Sequence, residues 1–525
     1  MDAPTKSIDL TTASWEAGEA DRFLAAQSVD RTAAGHASGF NGAVTVAYGG
    51  YAARAGLEAL KQGGGAIDAA MTTAMAQIAL TGGAPISYFG IMSLVYYEAK
   101  TGKVHTMNAE WNTIAGEDEP LSIPGGIAFG SDDALKGKGP PSGRTALVGG
   151  FLKGVEAAHR RFGKLPFASL FEPSIELAEK GFPMDHILHW ACEFRAADLE
   201  RLPATRDIFF KPDGSRYAKA ETFAQPKLAE TLRRVAAEGT DYIYGGEWGE
   251  KLVAAVQSDG GKMTLGDLKD YEVTWADALL ADIGGGYSVA TTPWPNAGGV
   301  ALVEAQNLAE AAGLGDGEHW TKSPESLRKA LDISLAMNLV FFQPEMLGQV
   351  FPGIDFSPEA RVTKEHARVL WPLIDGGGAL GGWKRKGPLH SDDVVAVDAE
   401  GNIAAITHSI NCVLWGKTAI NIDGISIGDP ASYQQALIDR TGPGKRLPAP
   451  TETGVVFKDG TAVLGFASMG AGLHVRTLQG LLNFTRYGMG VEEAINTADF
   501  YLPSTDLTDG SLTVTVPVLR KSAEP

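Results

Sequence analysis

The sequence predicts a layered α+β sandwich, two antiparallel sheets covered by helices. Three observations point there. Strand-like runs come as hairpins as well as in αβ units, at 91–108, 394–410 and 454–468. Helical periods sit between these runs without the one-to-one alternation of a doubly wound sheet. One helical run, AIDAAMTTAMAQIAL (66–80), is apolar nearly all round and needs cover on every side.

Taken in order, the first 40 residues are polar and mixed, suited to a surface arm or short helices. GAVTVAYG (42–49) reads as a strand and AARAGLEALKQ (52–62) as a helix with apolar residues at helical spacing. Gly63-Gly64-Gly65 stops that helix before the apolar one begins. IMSLVYYEAKTGKVHTMN (91–108) is a hairpin turning at Lys100–Gly102. Residues 150–182 and 225–275 are helical in period, broken at Gly163, Gly181 and Gly239. YSVATT, PWPNAGG and VALVEAQNLAEAAG then give strand, turn and helix over 287–313. The last 135 residues hold the 394–410 hairpin, a second at 454–468 turning on Asp459-Gly460, and a helix at 474–486.

Of 525 residues, 44% are hydrophobic and 21% charged, enough to bury a large core. The 65 glycines cluster in short runs, which argues for tight turns rather than disorder. A formal charge of −18 disfavours nucleic acid or an anionic membrane as partner. Two cysteines, Cys192 and Cys412, imply no disulfide framework. The N-terminus lacks a basic start followed by an apolar run, and no stretch of 18 apolar residues occurs. The expectation is a cytoplasmic protein, or a periplasmic one whose signal peptide has been removed.

Several chemical motifs are missing. There is no GxxxxGK[ST] and no GxSxG. His186 and His189 share a helical spacing in DHILHW, yet no acidic or cysteine partner stands near in sequence, so no metal is expected. The seam at 375–391 differs. DGGGALGGWKRKG is a flexible, glycine-rich linker running to 390, and Ser391 then opens a buried-looking strand, SDDVVAVD. A hydroxyl there could attack the carbonyl of His390, form an ester and let water cut the chain. The new α-amine, with an ordinary pKa of about 7.7–8.0, could serve as base. The plainer reading of Ser391-Asp392-Asp393 is a polar turn leading into a strand.

An ordered series of motifs resembles the γ-glutamyltranspeptidase superfamily over about 430 residues. GLEALKQGGGAIDAA, LVYYEAKTGKV, AAHRRFGKLPFASLFEPSIELAEKGFP, TTPWPNAGGVALVEAQNL, VVAVDAEGNIAAITHSIN, GPGKRLP and GFASMGAGLHVRTLQ carry it. The resemblance implies a four-layer αββα sandwich of the N-terminal nucleophile hydrolase type. It implies a precursor cut into a large segment, 1–390, and a small one, 391–525, together one catalytic domain. The implied activity is hydrolysis or transfer of an amide-linked acyl group from a small-molecule substrate, without metal or organic cofactor.

The resemblance puts the nucleophile on Ser391, where the family usually has threonine. Serine keeps the hydroxyl but loses the rotamer restraint of the methyl. Ser409 matches the hydroxyl residue beside the nucleophile and Asn411 the neighbouring amide. Gly470 and Ala471 match the oxyanion hole, where the family usually has two glycines. The γ-glutamyl recognition set is missing. The family's carboxylate-binding arginine falls within NAEWNT (108–113), which holds Glu110 and Trp111, and its serine pair is replaced by Ala449 and Pro450. GISIGDPASY and SMGAGLHV look closer to an acylase-like branch than to true γ-glutamyltranspeptidases. Tyr88, Phe89, Trp111 and Trp415 fall on segments bordering the family's pocket and suggest an apolar or aromatic acyl group, unless they are core residues. Glu110 is expected to orient an amine or hydroxyl. Asp392 and Asp393 would bind substrate or cap a turn, and either carboxylate would raise the pKa of a neighbouring α-amine. The rival reading is an uncut, non-hydrolytic family member that binds a ligand or partner.

Overall fold

Fifteen consecutive residues, Ala66–Leu80, form a helix in which every side chain is buried. That follows from its place between a sheet and two further helical elements, where no face meets water. The computed structural model describes residues 7–27, 35–125, 141–376, 391–468 and 473–500, with two short strands at Ser504–Thr505 and Leu512–Thr513.

Two antiparallel sheets form the centre. The larger has six strands in the order Gly42–Val46, Ser391–Asp398, Ile403–Ser409, Ile91–Glu98, Lys103–Ala109 and Thr274–Asp277. The smaller has four, in the order Thr461–Ser468, Glu452–Lys458, Tyr287–Thr291 and Leu279–Gly284. Val95, Val395, Ile403 and Ala405 of the first sheet pack against Ala290, Val455 and Phe457 of the second. Successive strand residues alternate faces, so Val394, Ala396, Ala404 and Ile406 point the other way. They join the core beneath Ala66–Leu80, Phe151–Phe162 and Glu172–Lys180. Ala297–Ala311, Pro324–Ala336, Lys364–Ile374 and Leu473–Thr485 cover the outside of the second sheet. The layers run helix, sheet, sheet, helix.

Most expected elements appear within one or two residues of their expected bounds. One differs: the helical reading of 225–275 overruns into Thr274–Asp277, which pairs with His105–Asn108 as an edge strand. Trp275 there packs edge-on against Phe162, a tertiary contact that local periodicity does not encode. Among the described residues no helix is long and apolar enough to cross a membrane. No group of three His, Cys, Asp or Glu side chains among them is placed to hold a metal ion.

Candidate active site

Ser391 is the first residue of the Ser391–Asp398 strand and pairs in register with Ser409, the last residue of Ile403–Ser409. The Ser391 hydroxyl donates to Ser409 Oγ at 3.0 Å. Ser409 Oγ also accepts the backbone N–H of Asn411 at 2.9 Å. Asn411 has φ of +47°, a left-handed conformation that asparagine tolerates better than most residues, and it turns the chain out of the strand. Ser391, Ser409 and Asn411, picked out separately in the sequence, therefore meet in one hydrogen-bonded group. Ser391 is only 3% exposed. Gly470 and Ala471 lie outside the described residues.

The helix Ala66–Leu80 fixes this strand at two points. Asp398 Oδ2 accepts the backbone N–H of Ala66 at 3.0 Å, and Gln77 Nε2 donates to the Asp393 carbonyl at 3.1 Å. Eleven helical residues at about 1.5 Å span about 16 Å, and so do five strand residues at about 3.3 Å. The two anchor spacings match.

Alternation divides the acidic pair after Ser391. Asp393 lies on the intersheet face with Ser391 and Val395; its Oδ1 accepts the N–H of Ala47 at 3.1 Å. Burial pushes its carboxyl up to about 7. Asp392 faces the helical layer, in register with His408. Burial first, then the charge of Asp393, raises it well above the usual carboxylate range. Neither aspartate makes an ion pair among the described contacts. His408, unremarked in the sequence, is the histidine nearest in register to Ser391. It bonds Gln77 Oε1 at 2.9 Å, stacks near Phe151, and is pushed down to about 3 by burial. On the wrong face and too weak a base, it is no proton acceptor for Ser391. The alternation of ITHSIN was the signal that could have shown it: Thr407 and Ser409 on one face, His408 on the other.

The aromatic residues take core positions. Tyr88 donates its hydroxyl to the Met75 carbonyl at 2.7 Å and packs on Phe151. Phe89 packs on Tyr244 and Trp248. Trp415 donates its indole N–H to the Gly82 carbonyl at 2.8 Å and packs on Phe209. None of these contacts reaches Ser391 or Ser409. Trp111 belongs to the core beneath the first sheet, whereas Glu110, its neighbour, points between the sheets.

Glu110 is 0% exposed, and burial raises its carboxyl to about 7. Its Oε1 accepts the hydroxyls of Ser93 and Thr451, the latter at 3.0 Å. Asn296 Nδ2 donates to both hydroxyls, at 2.8 Å and 2.7 Å. Ser93, Thr451 and Asn296 were not anticipated, because they come from three segments that only the sandwich brings together.

The chain matches the family model described as Gamma-glutamyltranspeptidase over residues 52–512. It is 28% identical over 479 residues to a glutathione hydrolase proenzyme of Bacillus subtilis strain 168, covering 86% of this chain and 79% of that protein. It is also 28% identical over 465 residues to the acylase ACY 1 proenzyme of Pseudomonas sp. strain SE83, covering 85% and 79%. Among solved structures, cephalosporin acylase from Bacillus halodurans superposes with a TM-score of 0.68 at 22% identity, over 90% of this chain and 86% of that one.

Proposed function

This chain belongs to the gamma-glutamyltranspeptidase family, as an N-terminal nucleophile amide hydrolase or acyltransferase, and from that premise we propose that it cuts itself before Ser391 and then forms acyl-esters on that serine. The observation that carries the proposal is the hydrogen bond from the Ser391 hydroxyl to Ser409 Oγ, made at the first residue of a buried strand.

In the cutting step, Ser391 Oγ attacks the carbonyl carbon of His390, and the peptide C–N bond gives way to an ester and a free amine. Water hydrolyses the ester, leaving a carboxylate on His390 and restoring the Ser391 hydroxyl. The freed α-amine is then the base. It takes the hydroxyl proton as Ser391 attacks a substrate amide and gives it to the departing amine. Ser409 holds the attacking oxygen in place. Resemblance assigns the oxyanion to the backbone N–H groups of Gly470 and Ala471. Water or an acceptor amine releases the acyl group. At 3% exposure Ser391 cannot meet a substrate in the uncut chain, so cutting precedes turnover.

We further propose that the acyl group is not γ-glutamyl. An amino-acid α-carboxylate placed beside Glu110 would meet a second carboxylate, while the nearby Arg446 guanidinium is held by Asn108, Asn112 and Glu272, and in a buried setting that repulsion is costly. Intact mass and a denaturing gel test the first step: two fragments meeting at His390/Ser391 are expected, and a single chain for Ser391→Ala. A wild-type chain that stays whole and inactive overturns the proposal. A γ-glutamyl anilide should release almost nothing; ready turnover overturns the substrate reading.

A further inference from the structure

Glu110 sits in a buried network with the side chains of Ser93, Thr451 and Asn296. The Asn296 side-chain oxygen accepts the Gly299 N–H at 3.3 Å, which sets the amide so that its nitrogen faces Ser93 and Thr451. Each hydroxyl accepts from that nitrogen, and the two also lie 2.7 Å apart, where either can donate to the other. Both reach Glu110 Oε1, which accepts from at least one of them. Oε2 is buried and has no hydrogen-bond partner among the described residues.

The two strongest donors close to it are committed elsewhere. Arg446 is close enough for its charge to be felt at Glu110. Its nitrogens, however, are committed to Asn112 Oδ1, the carbonyl and side-chain oxygens of Asn108, and the Glu272 carbonyl. The Tyr271 hydroxyl is committed to the Glu110 carbonyl at 2.6 Å. A buried carboxylate oxygen without a donor is costly and calls for one.

Ser391 and Glu110 leave the same face of the same sheet. Ser391, Ser409 and Ile91 lie side by side in register, and Ser93 is two residues along from Ile91. With strands about 4.8 Å apart and residues about 3.3 Å apart along them, Ser93 is about 12 Å from Ser391, and side chains leaning into the gap leave roughly 10–12 Å between the Ser391 hydroxyl and the Glu110 carboxyl. An extended acyl chain of roughly four to six bonds spans that gap once bond and contact lengths are allowed for.

We propose that the acyl subsite next to Ser391 takes a short chain ending in an amine, whose ammonium donates to Glu110 Oε2. The inference rests on the reading of Ser391 as nucleophile and names the substrate class of that site. A charged donor on a buried carboxylate is the strong kind of hydrogen bond, and a site built for it rejects isosteres lacking the donor.

The test uses chain shown by mass to be cut at His390/Ser391, with p-nitroanilides of 4-aminobutyric, 5-aminopentanoic, hexanoic and glutaric acids. The amine-tailed anilides are expected to exceed the alkyl one in kcat/KM by about ten-fold or more, with glutaryl lowest. Glu110→Gln should raise KM for the amine-tailed anilides about ten-fold while moving kcat little, a split that a general loss of fold would not give. Equal use of amine and alkyl tails means that Oε2 takes only water and overturns the inference. So does failure of a cut enzyme to turn over the amine-tailed anilides, whether or not the others react. A chain that never cuts, or a Ser391→Ala variant as active as wild type, overturns the nucleophile reading and the inference with it.

Discussion

At the scale of single residues, the site is a matter of which face each side chain takes. Ser391 was legible from its place at the start of a buried strand, and Ser409 and Asn411 through the family resemblance of the hairpin that follows. Glu110 was legible as an anomaly, but its partners Ser93, Asn296 and Thr451 were not. Ser391→Thr should still cut and turn over, since the 391 position needs only a hydroxyl and the added methyl narrows its rotamers; loss of cutting by mass would count against the assignment. Asp393 shares the face of Ser391, and once ionised, above about pH 7, it favours the protonated form of the new α-amine. Asp393→Asn should therefore move the acidic limb of the kcat/KM profile to lower pH, by up to about one unit. An unmoved or raised limb would show that Asp393 does not sense the amine.

Elements were the easiest scale to read, and the reason is visible in the helix pair Gly50–Lys61 and Ala66–Leu80. The first has a clear helical period, the second is apolar on every face, and three glycines stand between them. Their close approach depends on Gly56: a Cβ there would stand 2.0 Å from Thr73 Oγ1 and 2.7 Å from the Ala69 carbonyl. Gly56→Ala must push the helices apart, and the second helix holds the nucleophile strand through Ala66 and Gln77. Overpacking of this kind costs about 1–3 kcal/mol or more. Urea unfolding should show that loss, with slower self-cutting. The strand Thr274–Asp277 was misread at this scale because its partner strand, not its own sequence, makes it a strand.

For the whole molecule, strand order matters most. The Ser391–Asp398 strand lies between Gly42–Val46 and Ile403–Ser409, and the latter pairs with Ile91–Glu98. Residues on either side of the proposed cutting point are thus woven into one sheet. After cutting, the two fragments should elute together on gel filtration and part only in denaturant; separation in plain buffer would contradict this packing. The uncut chain also buries acids that prefer to stay protonated. Burial raises Asp393 and Glu110 to about 7 and holds Asp392 well above the usual carboxylate range. Unfolded carboxyls lose their protons near pH 4, whereas these keep theirs to near 7. Between those values the folded chain binds more protons, so its stability falls as pH rises. Each group raised to about 7 contributes on the order of 3–4 kcal/mol to that fall. Asp393→Asn in the Ser391→Ala background should flatten the decline, measured by urea unfolding from pH 4 to 8.

The sequence by itself determined the layers, the hairpins, the candidate nucleophile and the loss of the usual carboxylate-binding set. The layers and hairpins depend on local period and the serine on its place at a strand start, while the lost carboxylate set shows only through the family resemblance. Tertiary structure alone decided that Tyr88, Phe89 and Trp415 are core residues, that Asp392 and Asp393 face opposite ways, and that Glu110 meets Ser93, Asn296 and Thr451. Those facts depend on strand order and on which strand faces pair, and the contacts that set them join residues up to 358 positions apart. No local pattern in the chain records such a distance.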